Sequence, residues 1–392
     1  MKKVEATFFS RICSFFHFCN SKEGFRTAIS GIICIIIGIL FGFILMLCFS
    51  AQYAGPGLWI LLSKGLSDRS LFASSLSSAT PMIISGLSIA FAYKLKLFNI
   101  GITGQVTFGA FLSVLAGIGG CNWFVCLIIG ALGGAAIGFI TGYLKAKFNV
   151  NEVLSGIMLN WVIYYIIGII GSLWIPRSFK HSIDLVCLKT MPIAARMPSM
   201  GLDDILPNVS VGLIIAIILV IVIFILLNKT NYGFELKMTG LNRDAAKYIG
   251  VNQTKAIIST LVISGALAGI CGYMLYSTPI QPLKFTWNSG ANQLIGDGFT
   301  GISVALIAQT SPIGCIFSSL FLTLIDSSAQ SLKVISNGVY NIHYVSVIKS
   351  SIIYLASLSA FIKVYLSKWY DHNNKIPFFN NGFKLNEDEG RL

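Results

Sequence analysis

The chain has 392 residues, 55% of them hydrophobic and 11% charged, with a formal net charge of +13 and a mean hydropathy of +0.78. An average soluble domain carries about 25% charged residues, so a disordered chain, a secreted disulfide scaffold and a soluble nucleic-acid binder are excluded. The composition is that of an integral membrane protein in contact with lipid, and the basic excess fits the retention of Lys and Arg in cytoplasmic loops.

Residues 1–27 are polar and aromatic with scattered charge. They read as a cytoplasmic segment without a cleavable signal peptide, because the apolar run that follows is too long for one. A spanning helix needs about 20 mostly apolar residues. Runs of that kind predict spans at 28–50, 71–93 (with Pro81 inside), 100–119, 121–143 and 153–174. A polar stretch, 175–208, then precedes spans at 211–227 and 256–277. The last three runs are 295–309, 313–331 and 345–366, and 367–392 is a polar cytoplasmic tail. Pro312 either separates two spans or kinks one long helix. The expected fold is all-α: a polytopic helical bundle over 28–366 with about ten transmembrane helices.

Charge orients this bundle. With the N-terminus inside, nineteen of the 28 basic residues fall on the cytoplasmic side. Both termini are then cytoplasmic and the span count is even.

Glycine marks several helices. Gly130, Gly134, Gly138 and Gly142 form one smooth stripe, repeated at Gly265 and Gly269 and at Gly38 and Gly42. Such stripes let two helix backbones approach closely, within one subunit or between two. The nine cysteines lie mostly in apolar runs, where they pack as small apolar residues, and no metal site is expected. No G-x-x-x-x-G-K-[ST], H-E-x-x-H or G-x-S-x-G motif occurs, so the chain is not expected to be an enzyme or to hold a cofactor.

The segments LFNIGITGQVTFGA (97–110) and QLIGDGFTGISVA (293–305) share an I-G start. They open their spans from opposite sides, as matched places in a five-plus-five inverted repeat would. Glycine-interrupted helices at matched positions point to a transport pathway. Asn99, Gln105, Thr107, Asp297, Thr300 and Ser303 are the expected lining; the other reading makes Asn99 and Gln105 helix caps. Glu152 opens the span at 153–174, where a helix dipole favours a carboxylate, and Asn160 is placed to bond across helices. The amphipathic stretch 55–70, with Trp59, is expected outside.

The longest internal polar loop is 228–255. Within it Asp244–Tyr248 suits a short helix capped by Asn242 and bracketed by Gly240 and Gly250. This loop and the run AIISTLVISGALAGICGYMLY after it resemble the permease subunits of bacterial ABC importers, in the branch that takes up nucleosides and simple sugars. GLSIAFAYKLKLFNIGITGQVTFGAF (86–111), LKAKFNVNEVLSGIMLNW (144–161) and GDGFTGISVALIAQTSPIG (296–314) agree in order and spacing. The resemblance covers 71–331; Thr239–Leu241 and Gln309 depart from it.

The resemblance implies a multi-pass protein of a bacterial inner membrane. Its expected partners are two ATP-binding cassette domains, a second homologous permease and an extracytoplasmic substrate-binding lipoprotein. ATP-Mg belongs to the partners, and this chain carries no cofactor of its own. Gly240, Asn242, Ala245, Ala246, Tyr248 and Gly250 take the role of a coupling helix in the ATPase cleft. Glu152 and Asn160 could then relay ATPase closure, and 55–70 contributes to receptor docking. Nucleosides are the first expected cargo. Ribose or riboflavin is the alternative, and an ion-coupled secondary transporter is the rival outside the class.

Overall fold

A computed structural model describes residues 23–182, 186–277, 285–287, 294–336, 340 and 342–357. The expected N-terminal segment up to residue 22 and the tail 367–392 lie outside them, and the last predicted span leaves them after Ser357. The chain divides into two compact units, one formed by Met1–Phe49 with Val347–Leu392, the other by Ser50–Ser346.

In the first unit, α1 (Glu23–Phe49) packs on the Val347–Ser357 part of the last described helix. Gly38 and Gly42 of α1 meet Ile352 and Ile348; a Cβ at Gly38 would lie 2.7 Å from Ile352 Cα. This glycine pair therefore serves packing within the chain.

The second unit runs α2 (Ala51–Ser67), α3 (Arg69–Tyr93), α4 (Ile102–Ile118), α5 (Trp123–Phe148) and α6 (Glu152–Leu173). Next come strands β1 (Lys180–Ser182) and β2 (Val186–Leu188), a one-turn helix α7 (Leu202–Ile205), α8 (Gly212–Lys229), α9 (Asn231–Leu241), α10 (Arg243–Tyr248) and α11 (Gln253–Ser277). It continues through β3 (Thr286–Trp287), α12 (Asp297–Ile307), α13 (Pro312–Ile335) and the start of α14 (Ile342–Ser357). The strands form one small antiparallel sheet in the order β1-β2-β3.

Among the described residues, seven helices are long and apolar enough to cross a membrane: Gly31–Phe49, Arg69–Tyr93, Trp123–Phe148, Glu152–Leu173, Gly212–Lys229, Gln253–Ser277 and Pro312–Ile335. The apolar runs at 100–119 and 295–309 fold as the shorter helices α4 and α12. Pro312 stands at the first turn of its own helix, after two residues with positive φ, Gln309 and Thr310, so it separates two helices. A proline there loses no helical hydrogen bond.

Helix α3 lies at the centre: 83% of its most apolar stretch is buried, against 28% for α8. Its start is fixed by Asp68, whose Oδ1 accepts from Ser70 N (3.0 Å) and Ser70 Oγ (2.8 Å). Those bonds hold the Asp68 carboxyl below its ordinary pKa. Beside α3, α5 and α11 meet along the glycine stripe. Gly134 abuts the Gly265 carbonyl and Gly138 the Leu261 carbonyl, while a Cβ at Gly142 would lie 3.1 Å from Ile258 Cα. The stripe is thus an internal seam.

Candidate translocation and coupling sites

Helices α4 and α12 begin alike. Gly101 and Gly296 occupy their N-caps, with φ of −67° and −60° and no side-chain capping bond. The two starts lie side by side. Ile295 N donates to Thr107 Oγ1 (3.1 Å), and a Cβ at Gly298 would lie 2.7 Å from Thr103 Cα. The order of these contacts makes the two helices antiparallel. Along α3 the order is parallel: Ser85 Oγ donates to the Asp297 carbonyl (3.4 Å), Gly86 abuts Val304, and Lys94 Nζ donates to Thr310 Oγ1 (3.3 Å). At 1.5 Å per residue α12 is about 16 Å long, roughly half of a hydrocarbon core of about 30 Å. Its N-terminus, which carries a partial positive charge, therefore starts within the bundle at the depth of Ser85.

The six expected lining residues fall into two groups. Asn99 and Gln105 are buried and bonded to each other: Asn99 Nδ2 donates to Gln105 Oε1 (2.8 Å), and Gln105 Nε2 to Asn99 Oδ1 (3.3 Å). Neither caps a helix. Thr107 is buried and donates to the Thr103 carbonyl (2.7 Å). Asp297, Thr300 and Ser303 are half-buried along α12, and Thr300 Oγ1 donates to the Asp297 carbonyl (2.8 Å). Thr103 Oγ1 lies beside Gly298 and is the one buried side-chain polar atom among the described residues without a hydrogen-bond partner.

Three neighbours of this group escaped sequence reasoning. Ser88 Oγ donates to the Ser264 carbonyl (2.7 Å), and Ser264 Oγ to the Ser88 carbonyl (3.0 Å). Asn99 Nδ2 also donates to Ser264 Oγ (2.9 Å). Lys94 caps α3 and reaches the turn after α12. Its ammonium is held below the ordinary lysine pKa, first by desolvation and then by Lys237. Serines at 88 and 264 carry no sequence signal, because a small hydroxyl is equally common on any helix face.

Asn151 caps α6, its Oδ1 accepting from Val153 N (2.9 Å), and Glu152 stands in the first turn. Glu152 also pairs with Lys145 at 2.8 Å, bridging the α5–α6 turn. Asn160 bonds across helices, accepting from Gly104 N (2.9 Å) and donating to the Ile100 carbonyl (3.2 Å).

The loop 228–255 folds as two helices around Asn242. Thr230 caps α9 by accepting from Gly233 N (3.2 Å). Asn242 Oδ1 accepts from Asp244 N (3.0 Å) and Ala245 N (3.2 Å), capping α10. Ala246 is buried, whereas Tyr248 is 93% exposed and stands beside exposed Ile249. Gly250 ends the helix with φ +86°, in the left-handed region that glycine adopts freely. Gly240 abuts the Lys94 carbonyl. Tyr232 ties α9 to α11 through Ser259 Oγ (2.7 Å), and burial raises its phenol pKa. The result is a short capped helix with an aromatic side chain projecting from it.

A family profile described as "Branched-chain amino acid transport system / permease component" matches residues 71–359. The chain is 31% identical over 369 residues to the nucleoside ABC transporter permease protein NupB of Lactococcus lactis subsp. cremoris, covering 89% of this chain and 95% of that protein. It is 29% identical over 308 residues to the guanosine ABC transporter permease protein NupP of Bacillus subtilis, covering 77% and 86%. It is 26% identical over 287 residues to the glucose ABC transporter permease protein TsgB13 of Haloferax volcanii, covering 70% and 73%. No solved structure matches.

Proposed function

The chain belongs to the family of transport-system permease components, a multi-pass membrane family with nucleoside and sugar transporters among the relatives, and from that membership we propose that it is the membrane subunit of an ATP-driven nucleoside importer. The likeness to NupB over nearly the whole of both chains supports this reading most strongly. The relatives are transporter components rather than enzymes, and the chemistry of this chain is movement. The family description, NupB and TsgB13 name three different cargoes. Membership alone therefore leaves the cargo open. The nucleoside reading follows the higher identity and coverage of NupB and NupP, and the glucose permease favours a simple sugar as the second reading.

In this proposal the bundle crosses the membrane ten times, both termini are cytoplasmic, and α4 and α12 are counterparts in an inverted repeat. Two ATP-binding subunits, a second permease and a substrate-binding lipoprotein complete the transporter. Helix α10 docks in the ATPase through Tyr248, with Ala245 and Ala246 on its body and Asn242, Gly240 and Gly250 shaping its ends. The cargo passes the half-buried face of α12 at Asp297, Thr300 and Ser303, next to Thr107. Hydroxyls and a carboxylate there suit a polar, uncharged solute that must bind weakly enough to leave. Asn99 and Gln105 frame this passage and bond to each other.

Uptake of radiolabelled guanosine and ribose by cells that co-express this chain with its ATPase and receptor tests the proposal. Guanosine uptake should vanish when the ATPase carries a Walker-site mutation. Uptake indifferent to that mutation overturns the importer and leaves an ion-coupled carrier. Wild-type uptake by Asp297→Asn sinks the passage along α12.

A further inference from the structure

The turn 94–101 joins α3 to α4, and connecting segments ordinarily run over the surface. This one turns every second residue inward: Leu95, Leu97 and Asn99 are buried, whereas Lys96 is exposed. Four other elements converge on it through identifiable atoms. Helix α9 lies on it backbone to backbone, Gly240 against the Lys94 carbonyl. Helix α6 grips it twice: a Cβ at Gly156 would lie 2.7 Å from Gly101 N, and Asn160 donates to the Ile100 carbonyl (3.2 Å). Helix α11 receives the Asn99 amide at Ser264 Oγ (2.9 Å). The α12–α13 turn receives Lys94 Nζ at Thr310 Oγ1 (3.3 Å), where Gln309 and Thr310 hold φ of 48° and 56°. Non-glycine residues seldom adopt such φ values, and they persist where surrounding contacts hold them.

We propose that the turn 94–101 is the relay through which displacement of α10 reaches both glycine-started helices, with Asn99 and Lys94 as its positioning residues. The inference rests on the reading of α10 as the coupling helix. Asn242 joins α10 to α9 rigidly, since its N–H donates to the Met238 carbonyl (3.0 Å) while its side chain caps α10. A push on Tyr248 therefore carries Gly240, two residues before that joint. With no side chain at Gly240, no compressible layer separates α9 from the Lys94 carbonyl. The turn then has two outputs. Asn99 passes the shift to Gln105, in the first turn of α4, and to α11. Lys94 passes it to the end of α12, and its charge suits that place because it faces the C-terminal ends of α3 and α12. Both outputs are hydrogen bonds between side chains that can exchange partners, so the relay can have two settings.

The test uses the whole transporter reconstituted in liposomes, with guanosine moved per ATP hydrolysed as the readout. Ser264→Ala, which takes the α11 acceptor away from Asn99, and Lys94→Met should assemble and hydrolyse ATP, yet move about five- to tenfold less guanosine per ATP. Lys94→Arg should restore the ratio, because it keeps the charge and a donor. Variants that assemble and keep the wild-type ratio overturn the relay, and so does a parallel fall of ATP hydrolysis and transport. If Ser264→Ala does not assemble, Lys94→Met at the rim of the turn decides by the same criteria. A wild-type complex without ATP-dependent uptake is a different failure: it sinks the importer reading, and the relay falls with it.

Discussion

Two places in the bundle bring helix backbones into contact, by opposite means. Along the α5–α11 seam, glycine faces glycine: Gly134 abuts the Gly265 carbonyl, and Gly269 abuts the Gly130 carbonyl. No side chain mediates these approaches. Around the turn 94–101, glycines also make the closest approaches, but carboxamides, hydroxyls and one ammonium bridge the elements. The seam depends on shape and has one good arrangement. The joint depends on exchangeable hydrogen bonds between groups of similar strength. In the proposed transporter, that difference separates a rigid body from a place that can switch.

The largest effect should come from spoiling the seam. Gly134→Val drives a branched side chain into the Gly265 carbonyl and Gly269, whose N would lie 2.6 Å from the new Cβ. Overpacking of this kind costs about 3 kcal/mol or more where backbone cannot yield. Thermal unfolding in detergent should show a large loss of stability or of folded yield. Gly55→Ala, with nothing within 4 Å of its Cβ position, is the neutral control. A Gly134→Val protein as stable as wild type would mean that the seam yields like the joint.

Next comes Asn160→Ala, which strips the joint of one acceptor and one donor. The Gly104 N–H and the Ile100 carbonyl lose their cross-helix partner. An unpaired buried amide costs about 1–3 kcal/mol, and measured interhelical bonds in membranes average about 0.6 kcal/mol. A loss of about 1–2 kcal/mol is expected, below that of Gly134→Val. Equal losses would erase the distinction between the two regions.

The seam was legible in the sequence as far as its spacing: glycine every fourth residue at 130–142 marks one face of a helix. Its partner on α11 was legible only as a similar pattern, since spacing does not say which helices meet. The capped helix at Asn242 was readable because a cap is a local event between a side chain and the next two or three backbone amides. The joint was not. Ser88 and Ser264 lie 176 residues apart, and Asn160 lies 56 from Gly104. In the sequence Lys94 and Lys96 count as cytoplasmic basic residues and 97–110 as a glycine break opening a span, whereas the burial of Leu95, Leu97 and Asn99 follows from where α9 and α6 come to rest. Asn99 and Gln105 stood out as polar, but their bond to each other required the fold of the turn between them.

Ser88 and Ser264 sharpen the comparison on a finer scale. Their hydroxyls and carbonyls are exchanged between α3 and α11, with the two Oγ atoms 2.9 Å apart. Neither serine acts alone, so Ser88→Ala and Ser264→Ala should be non-additive. A double-mutant cycle on unfolding free energy should give a coupling of about 0.6 kcal/mol, the usual interhelical value. Additive effects would show the two bonds to be independent and weaken the idea of an exchangeable network.

The smallest effect belongs to the Lys145–Glu152 pair, which links the end of the seam helix α5 to the start of α6, the helix that grips the joint. The contact is short, 2.8 Å, and the side chains are 13% and 14% exposed. Both residues nonetheless stand at helix ends, where Asn149 (φ +53°) closes α5 and Asn151 caps α6. The turn is therefore held without them. Lys145 also sits in the last turn of α5 and Glu152 in the first turn of α6, so each has a favourable helix end whether or not it is paired. Glu152→Gln keeps an oxygen to accept from Lys145 and removes only the charge, so it should lower stability by about 0.5 kcal/mol. High salt should shrink the difference further. If Glu152→Gln instead matched Asn160→Ala in its cost, the ion pair would be part of the joint rather than a link beside it. The boundary between the rigid and the switchable regions would then move from the start of α6 to the end of α5.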